Sequence, residues 1–380
     1  MTYRRVVIKV GTSTLTDENG ALDRVYIASL AMQCAGEYRS GTEVVLVSSG
    51  AIRAGIDQWE SYVGQPAEPL PRTTMPFKQA MAAIGQPLLM QAYLAAFAGY
   101  GLPVAQVLLT REDFGERHRF LHARNTLQQL LKMGVVPVIN ENDTVATEEI
   151  RLGDNDTLAA MVASMLDADL LILLSDVEGL YERDERGRYV RLIREVTRID
   201  EHIWHMAKGS GSRVGTGGMV TKLQAAQIAT TSGVTMVIAH GRHEGIVHQV
   251  CRGRDFVGTV FRPLPRKLCH RKRWLAYGLP AAGAIIVNEG AKERILTDGK
   301  SLLPAGVQGY EGHFQPQQLV ELRDERGMVF ARGFTNYSSE ELARIAGCQT
   351  SQIEQRLGFK RADEVIHRNN LVLVYDASVW

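Results

Sequence analysis

Apolar runs of five or six residues recur along the first two thirds of the chain, each followed by a stretch with helical spacing. The runs at 5–10, 43–48, 104–109, 135–139, 170–175 and 235–239 are rich in Val, Ile and Leu and show little alternation. A strand with one wet face would alternate. An unbroken apolar run fits a strand covered on both faces, as in a mostly parallel sheet. Between the runs, the pattern predicts helices over 24–39, 77–98, 118–133, 157–166 and 219–231. Strand and helix taking turns in this way predict an α/β layer fold.

The texture changes near residue 262. RPLPRKLCHRKRW (262–274) holds two prolines and six Lys or Arg residues. We read 262–275 as a basic linker between a catalytic domain, 1–261, and a smaller domain, 276–380. The smaller domain carries short β-type runs at 283–288, 317–322 and 328–334. It also carries one helical piece, 338–347, opened by a capping-box pair, Ser338 and Glu341.

Bulk composition narrows the function classes. The 380 residues include 43 Lys or Arg and 42 Asp or Glu, a formal charge of +1, which gives no general pull toward nucleic acid or an anionic membrane. Hydrophobic residues make up 45%, enough for a sizeable core. Cys34, Cys251, Cys269 and Cys348 are far apart, with no CxxC pair, so neither a disulfide framework nor a structural zinc is expected. The opening MTYRRVVIKVGTS reads as a first buried strand rather than a leader, and no run of 18 apolar residues predicts a membrane span. These features point to a cytoplasmic protein.

Glycine loops cluster where strands end: KVGTS (9–13), SSGAIRAG (48–55) and GTGGMVTK (215–222). In an open α/β sheet, ligands sit beyond the carboxyl ends of the strands. Bare backbone there lets N–H groups approach phosphate oxygens, and a helix start adds partial positive charge. Two of the loops carry lysine, Lys9 and Lys222. The dinucleotide fingerprint is missing after the first strand. DGKS (298–301) lacks the upstream glycine of a phosphate loop and reads as a hairpin turn.

A second cluster has the opposite character. VINENDTV (138–145) and RLGDNDTLAA (151–160) gather Asn140, Glu141, Asn142, Asp143, Asp154, Asn155 and Asp156. Turn and cap chemistry accounts for two or three such residues, not for seven in so short a span. Acidic and amide groups repel phosphate, but they suit an ammonium group, and amides can bind a carboxylate. The sorting of charge predicts phosphoryl transfer from a nucleotide to an acceptor that carries an amine.

The motifs KVGTS, SSGAIRAG, KQAMAAIGQ, LLTREDF, RFLHARNTL, VPVINENDTVAT, GDNDTLAA, GTGGMVTKLQAA, RKRW and SLLPAGV, in that order, are similar to those of the glutamate 5-kinases (γ-glutamyl kinases). The resemblance covers nearly the whole chain. It implies an amino acid kinase fold, a three-layer αβα sandwich with a mostly parallel central sheet, followed by a β-rich PUA-like domain. It implies that Lys9 and Lys222 contact the transferring phosphate and that Asp156 holds both lysines. Ser49, Asn140, Asp143 and Asn155 match positions that bind glutamate. Lys9, Gly11, Ser175, Asp176, Thr216, Gly217, Gly218, Met219 and Lys222 match positions that bind the nucleotide. ATP with Mg²⁺ carried on its phosphates, a γ-glutamyl 5-phosphate product, a place at the start of proline biosynthesis, inhibition by proline and a homo-dimer or tetramer are further implications.

No general base is expected, because a carboxylate acceptor is already ionised at neutral pH. HIWH (202–205) is therefore read as a helix surface. The stretch 56–77, with Trp59, Tyr62 and four prolines, reads as a loop longer than is usual for the family. Two other readings are kept. One is a kinase of the same fold for another acceptor, such as acetylglutamate or a nucleoside monophosphate; a phosphorylated acceptor would want arginines where NEND and GDND stand. The other is an RNA-binding protein acting through the PUA-like domain. That domain has 11 Lys or Arg against 13 Asp or Glu over 276–380, a poor balance for phosphate-backbone contact, so RNA is the less favoured partner.

Overall fold

The computed structural model describes residues 3–18, 20–63, 73–146, 155–184, 188–207, 218–264 and 281–373. The chain divides into two compact units, 1–267 and 268–380. The first unit has the α/β architecture that the hydrophobic pattern predicts. Its strands are β1 (Arg5–Val10), β2 (Glu43–Ser48), β3 (Val104–Leu109), β4 (Val136–Glu141), β5 (Leu170–Ser175), β6 (Tyr181–Arg183), β7 (Tyr189–Leu192), β8 (Glu195–Val196), β9 (Thr235–His240) and β10 (Gly258–Phe261). Eight of them form one sheet in the order β3-β4-β2-β1-β5-β9-β10-β8, and β6 pairs with β7 in a separate hairpin. Every neighbouring pair whose register is described is parallel except β9 with β10.

Helices cover the sheet: α1 (Thr12–Leu15), α2 (Arg24–Arg39), α3 (Ala51–Val63), α4 (Met75–Ala98), α5 (Arg111–Gly115), α6 (Arg117–Lys132), α7 (Asn155–Met165), α8 (Glu201–Ala207), α9 (Met219–Thr231) and α10 (Ile246–Cys251). The central strand β1 is buried along its whole length, as are β4 and β5. Each buried Val or Ile there contributes roughly 1.5–3 kcal/mol of burial free energy. The α2 helix starts where Asp23 accepts a hydrogen bond from the Tyr26 N–H at 2.9 Å, a cap that contributes about 1 kcal/mol.

Several expectations need correction. β3 is an edge strand and only partly buried, so its apolar run does not signal cover on both faces. β4 runs to Glu141, because Asn140 and Glu141 stay in register with Leu108 and Leu109. The stretch expected as a loop over 56–77 is helical through Val63, and α4 opens at Met75; residues 64–72 lie outside the described residues. Trp59 there meets Phe77 edge to face at 6.1 Å. Helix α4 is long and apolar enough to span a membrane by length and composition alone. Half of its apolar window is buried, and Leu89, Tyr93 and Phe97 are fully inside the core, as in a core helix. In HIWH, both histidines are exposed but Ile203 and Trp204 are buried, so the segment is amphipathic rather than a plain surface.

Gly55 and Gly85 explain how α3 and α4 pack. A Cβ on Gly55 would lie 1.9 Å from the Met81 carbonyl oxygen, and one on Gly85 would lie 1.8 Å from that of Ala51. A glycine inside a helix costs about 1 kcal/mol relative to alanine. Here it permits backbone-to-backbone contact that any side chain would block.

The chain stays attached to the first unit beyond β10. The Arg262 N–H donates to the Val196 carbonyl at 2.9 Å, and the Leu264 N–H to that of Thr230 at 3.0 Å. The expected linker otherwise falls largely on 265–280, outside the described residues. The second unit has its own five-stranded sheet. Its strands are β11 (Gly283–Val287), β12 (Val307–Gly312), β13 (Leu319–Arg323), β14 (Val329–Phe334) and β15 (Leu371–Leu373), in the order β12-β11-β13-β14-β15. Its core includes Ile285, Phe314, Leu322 and Tyr337. The Ser338 capping box is present: its Oγ accepts from the Glu341 N–H at 3.1 Å, and the Ser338 N–H donates to the Glu341 carboxylate at 2.9 Å. DGKS is not a hairpin turn. Asp298 ends the helix Glu289–Asp298, and Gly299, at φ 61°, is its left-handed cap.

Candidate active site

The carboxyl ends of β1, β2, β4 and β5 converge on a cavity of about 490 Å³. Its lining includes Lys9, Gly11, Ser49, Asn140, Asp143, Asn155, Ser175, Asp176 and Lys222. Residues up to 213 positions apart in sequence, Lys9 and Lys222, thus face one space, as the strand-end rule for open α/β sheets requires.

Asp156 lies beneath this cavity with no exposure. Lys9 Nζ is 2.6 Å from its Oδ1, and Lys222 Nζ is 3.0 Å from its Oδ2. Both lysines are 5% exposed. Burial pushes the Asp156 carboxyl up. The two ammonium groups outweigh that effect and hold it below the ordinary carboxylate range. The local folds deliver this geometry. Lys9 sits near the end of buried β1, Asp156 in the first turn of α7, and Lys222 one turn into α9. Three charges that would each be costly to bury alone are buried together, leaving the triad with one net positive charge.

Amides hold the other side. The Asn155 Nδ2 group lies 2.8 Å from Ser49 Oγ, 3.1 Å from Asn140 Oδ1 and 3.2 Å from the Ser48 carbonyl. Asn140 Oδ1 also accepts from the Glu141 N–H at 2.9 Å, and Asn140 Nδ2 donates to Gln86 Oε1 at 2.9 Å. Ser175 donates to the Asp176 carboxylate at 3.1 Å.

Other expected residues fall differently. Gly218 caps α9 with φ −71°, which any residue can adopt, and open space surrounds the place of its missing Cβ. Its bareness is therefore not demanded by the fold. Met219 begins α9 and, like Gly218, is not among the cavity-lining residues. Thr216 and Gly217 lie outside the described residues, as does Asp154. The Gly11 N–H is not open to a ligand, since it donates to the Leu174 carbonyl at 3.3 Å. Thr12 and Ser13, in the short helix α1 that follows, line the cavity instead. Sequence reasoning also missed Arg53, which lines the cavity from α3 and donates to the Gly20 carbonyl at 3.1 Å. Its position within a glycine-flanked motif gave no sign of that contact.

Among the described residues, no group of three or more His, Cys, Asp or Glu side chains could hold a metal. The carboxylates that line the cavity, Glu141, Asp143 and Asp176, do not form such a group.

The amino acid kinase family profile matches residues 4–240, and the PUA domain profile matches 283–357. The chain is 47% identical over 371 residues to a glutamate 5-kinase of Caldanaerobacter subterraneus subsp. tengcongensis, covering 97% of this chain and 98% of the relative. It is 49% identical over 375 residues to a glutamate 5-kinase of Pelobacter propionicus, covering 98% of each. Among solved structures, an isopentenyl phosphate kinase aligns at a TM-score of 0.47 and 18% identity, over 68% of this chain and 99% of that one. With two profile matches in order and near-half identity end to end, this chain belongs to the glutamate 5-kinase family, an amino acid kinase unit followed by a PUA domain.

Proposed function

We propose that the chain catalyses ATP-dependent phosphorylation of the γ-carboxylate of L-glutamate, giving γ-glutamyl 5-phosphate for proline biosynthesis. The observation that carries this reading is the meeting, in one cavity, of two lysines sharing Asp156 with an amide and carboxylate wall. The cationic side suits the triphosphate. Asp143 suits the acceptor's ammonium group, and the amides of Asn140 and Asn155 suit its polar ends.

In the reaction, a γ-carboxylate oxygen forms the new bond to the γ-phosphorus. The bond from that phosphorus to the bridging oxygen breaks, and ADP leaves with the electron pair. No proton moves, so no base is required. Positioning and charge stabilisation supply the catalysis. Lys9 and Lys222 neutralise charge on the transferring oxygens, and Asp156 keeps the two ammonium groups side by side in a dry site. Thr12 and Ser13, which line the same cavity, are proposed to add further donors. Ser175, Asp176 and the segment from Thr216 to Met219 are proposed to hold the nucleotide. Mg²⁺ carried on the nucleotide would draw off part of the phosphate charge.

Residues 1–261 are proposed as the catalytic domain and 276–380 as the PUA-like domain. Inhibition by proline is inferred from the family resemblance. Association into a dimer or tetramer is inferred likewise, and a feature of α4 supports it. From Gln79 to Ala98 the helix has no charged residue, and Ala80, Ala83, Ile84, Pro87, Leu94, Ala95 and Ala98 are exposed along it. The buried free thiols of Cys34, Cys251 and Cys348 fit a reducing, cytoplasmic setting.

An ADP-release assay with glutamate, aspartate, acetylglutamate and UMP, backed by hydroxylamine trapping, tests the reading. Hydroxamate should form with glutamate. Turnover with acetylglutamate or UMP and none with glutamate would remove it.

A further inference from the structure

We propose that Gln86, a residue of α4 that does not line the cavity, is a positioning residue for acceptor binding. It acts through Asn140 and Asn155. This rests on the reading of the acceptor as a free amino acid.

The inference starts from which way each amide must face. The Ser48 carbonyl can only accept, so the end of Asn155 lying 3.2 Å from it is the Nδ2 donor. The Glu141 N–H can only donate, so the Asn140 atom 2.9 Å from it is Oδ1. Asn140 Nδ2 is thereby turned to Gln86, whose Oε1 accepts at 2.9 Å. The polarity of three amides is fixed by two backbone groups, with no freedom to flip.

One consequence appears at each end. Asn155 spends its donors on Ser48, Ser49 and Asn140, and its Oδ1 is buried with no partner among the described residues. Asn155 lines the cavity. A buried acceptor left open at a binding site is costly until a donor arrives. An ammonium group supplies one, and a phosphate oxygen cannot. At the far end, Gln86 is 8% exposed and its Nε2 is also buried without a partner. The amide group of Gln86 is therefore buried for a single bond, the one it accepts from Asn140. Without that acceptor, the Asn140 amide has one anchor instead of two, and the Asn155 donors lose a fixed target. A helix built on close glycine contacts with α3 holds Gln86 rigidly next to Gly85.

The test is a pair of variants. Gln86→Met keeps the volume and removes the acceptor. Gln86→Glu keeps an accepting oxygen. Gln86→Met should raise the KM for glutamate roughly 5- to 10-fold, as expected for loss of one buried hydrogen bond, with KM for ATP little changed. In an Asn155→Ala background, Gln86→Met should have no further effect on the glutamate KM. Gln86→Glu should keep a near-normal glutamate KM. A merely structural role would lower the melting temperature, move both KM values together and add to Asn155→Ala, and that result overturns the proposal. If Gln86→Met melts below assay temperature, Gln86→Glu decides: a raised glutamate KM counts against the proposal and a normal one for it. Wild-type protein that forms no hydroxamate from glutamate removes the underlying reading. Wild-type protein that forms it, with Gln86→Met unaltered, removes only the role of Gln86.

Discussion

At one side of the cavity, Lys9, Asp156 and Lys222 bury three formal charges within 3.0 Å contacts. At the other, buried Asn140 and Gln86 and half-buried Ser49 and Asn155 present neutral groups joined by hydrogen bonds of 2.8–3.1 Å. The charged side is strong and non-directional; its work is to offset the charge of a triphosphate. The neutral side is weaker per contact but directional, because an amide presents a donor and an acceptor at fixed angles. Catalytic rate should depend on the first, and recognition of the acceptor on the second.

The sharpest way to break this division is Lys222→Ala. Removing a buried cation from the phosphate side should lower kcat on the order of 10²-fold or more. Near-normal turnover in a rapid ADP assay would mean that the charge of Lys222 is not spent on the transition state. Asp156→Asn comes next. It leaves two buried ammonium groups facing a neutral amide and should cost on the order of 3 kcal/mol of stability at neutral pH. The pH dependence follows from the direction of the Asp156 shift. Its folded carboxyl lies below the ordinary value, so its stabilisation is fully present above about pH 4 and drains away as pH falls through the lower folded value. Melts of Asp156→Asn should therefore lose part of the acid dependence seen in the parent; an unchanged acid limb would place the titration elsewhere. The smallest effect belongs to Asp143→Ala, on the acceptor side. The KM for glutamate should rise about tenfold, with the ATP value held within about twofold. Equal changes for both substrates would take Asp143 out of the ammonium site.

Much of this plan could be read before the structure. Strands β1, β2 and β5 begin and end where the apolar runs do, because burial on both faces leaves an unbroken pattern; β3 and helices α2 and α9 also keep the bounds read from the sequence. The cavity residues were legible because glycine, lysine and the Asn–Asp clusters are poor choices for a plain strand end. What escaped depends on contacts between distant parts of the chain. Gly55 looked like part of a loop, since nothing near it announces that Met81 will press against it. The α3 helix was hidden for the same reason. Gln86 reads as an ordinary polar position of an apolar helix until Asn140, 54 residues away, is placed beside it. The edge position of β3 is a matter of strand order, which local pattern does not encode.

The close approach of Gly55 and Gly85 has mechanical meaning. One helix of that pair forms part of the cavity wall through Ala51, Ile52, Arg53 and Ile56; the other bears Gln86 inward and an uncharged ridge outward. At that crossing no side chain lies between the two backbones to yield, and tightly packed interiors pass on strain rather than absorb it. A substitution that pushes the two helices apart at that crossing therefore bears directly on the wall around the acceptor.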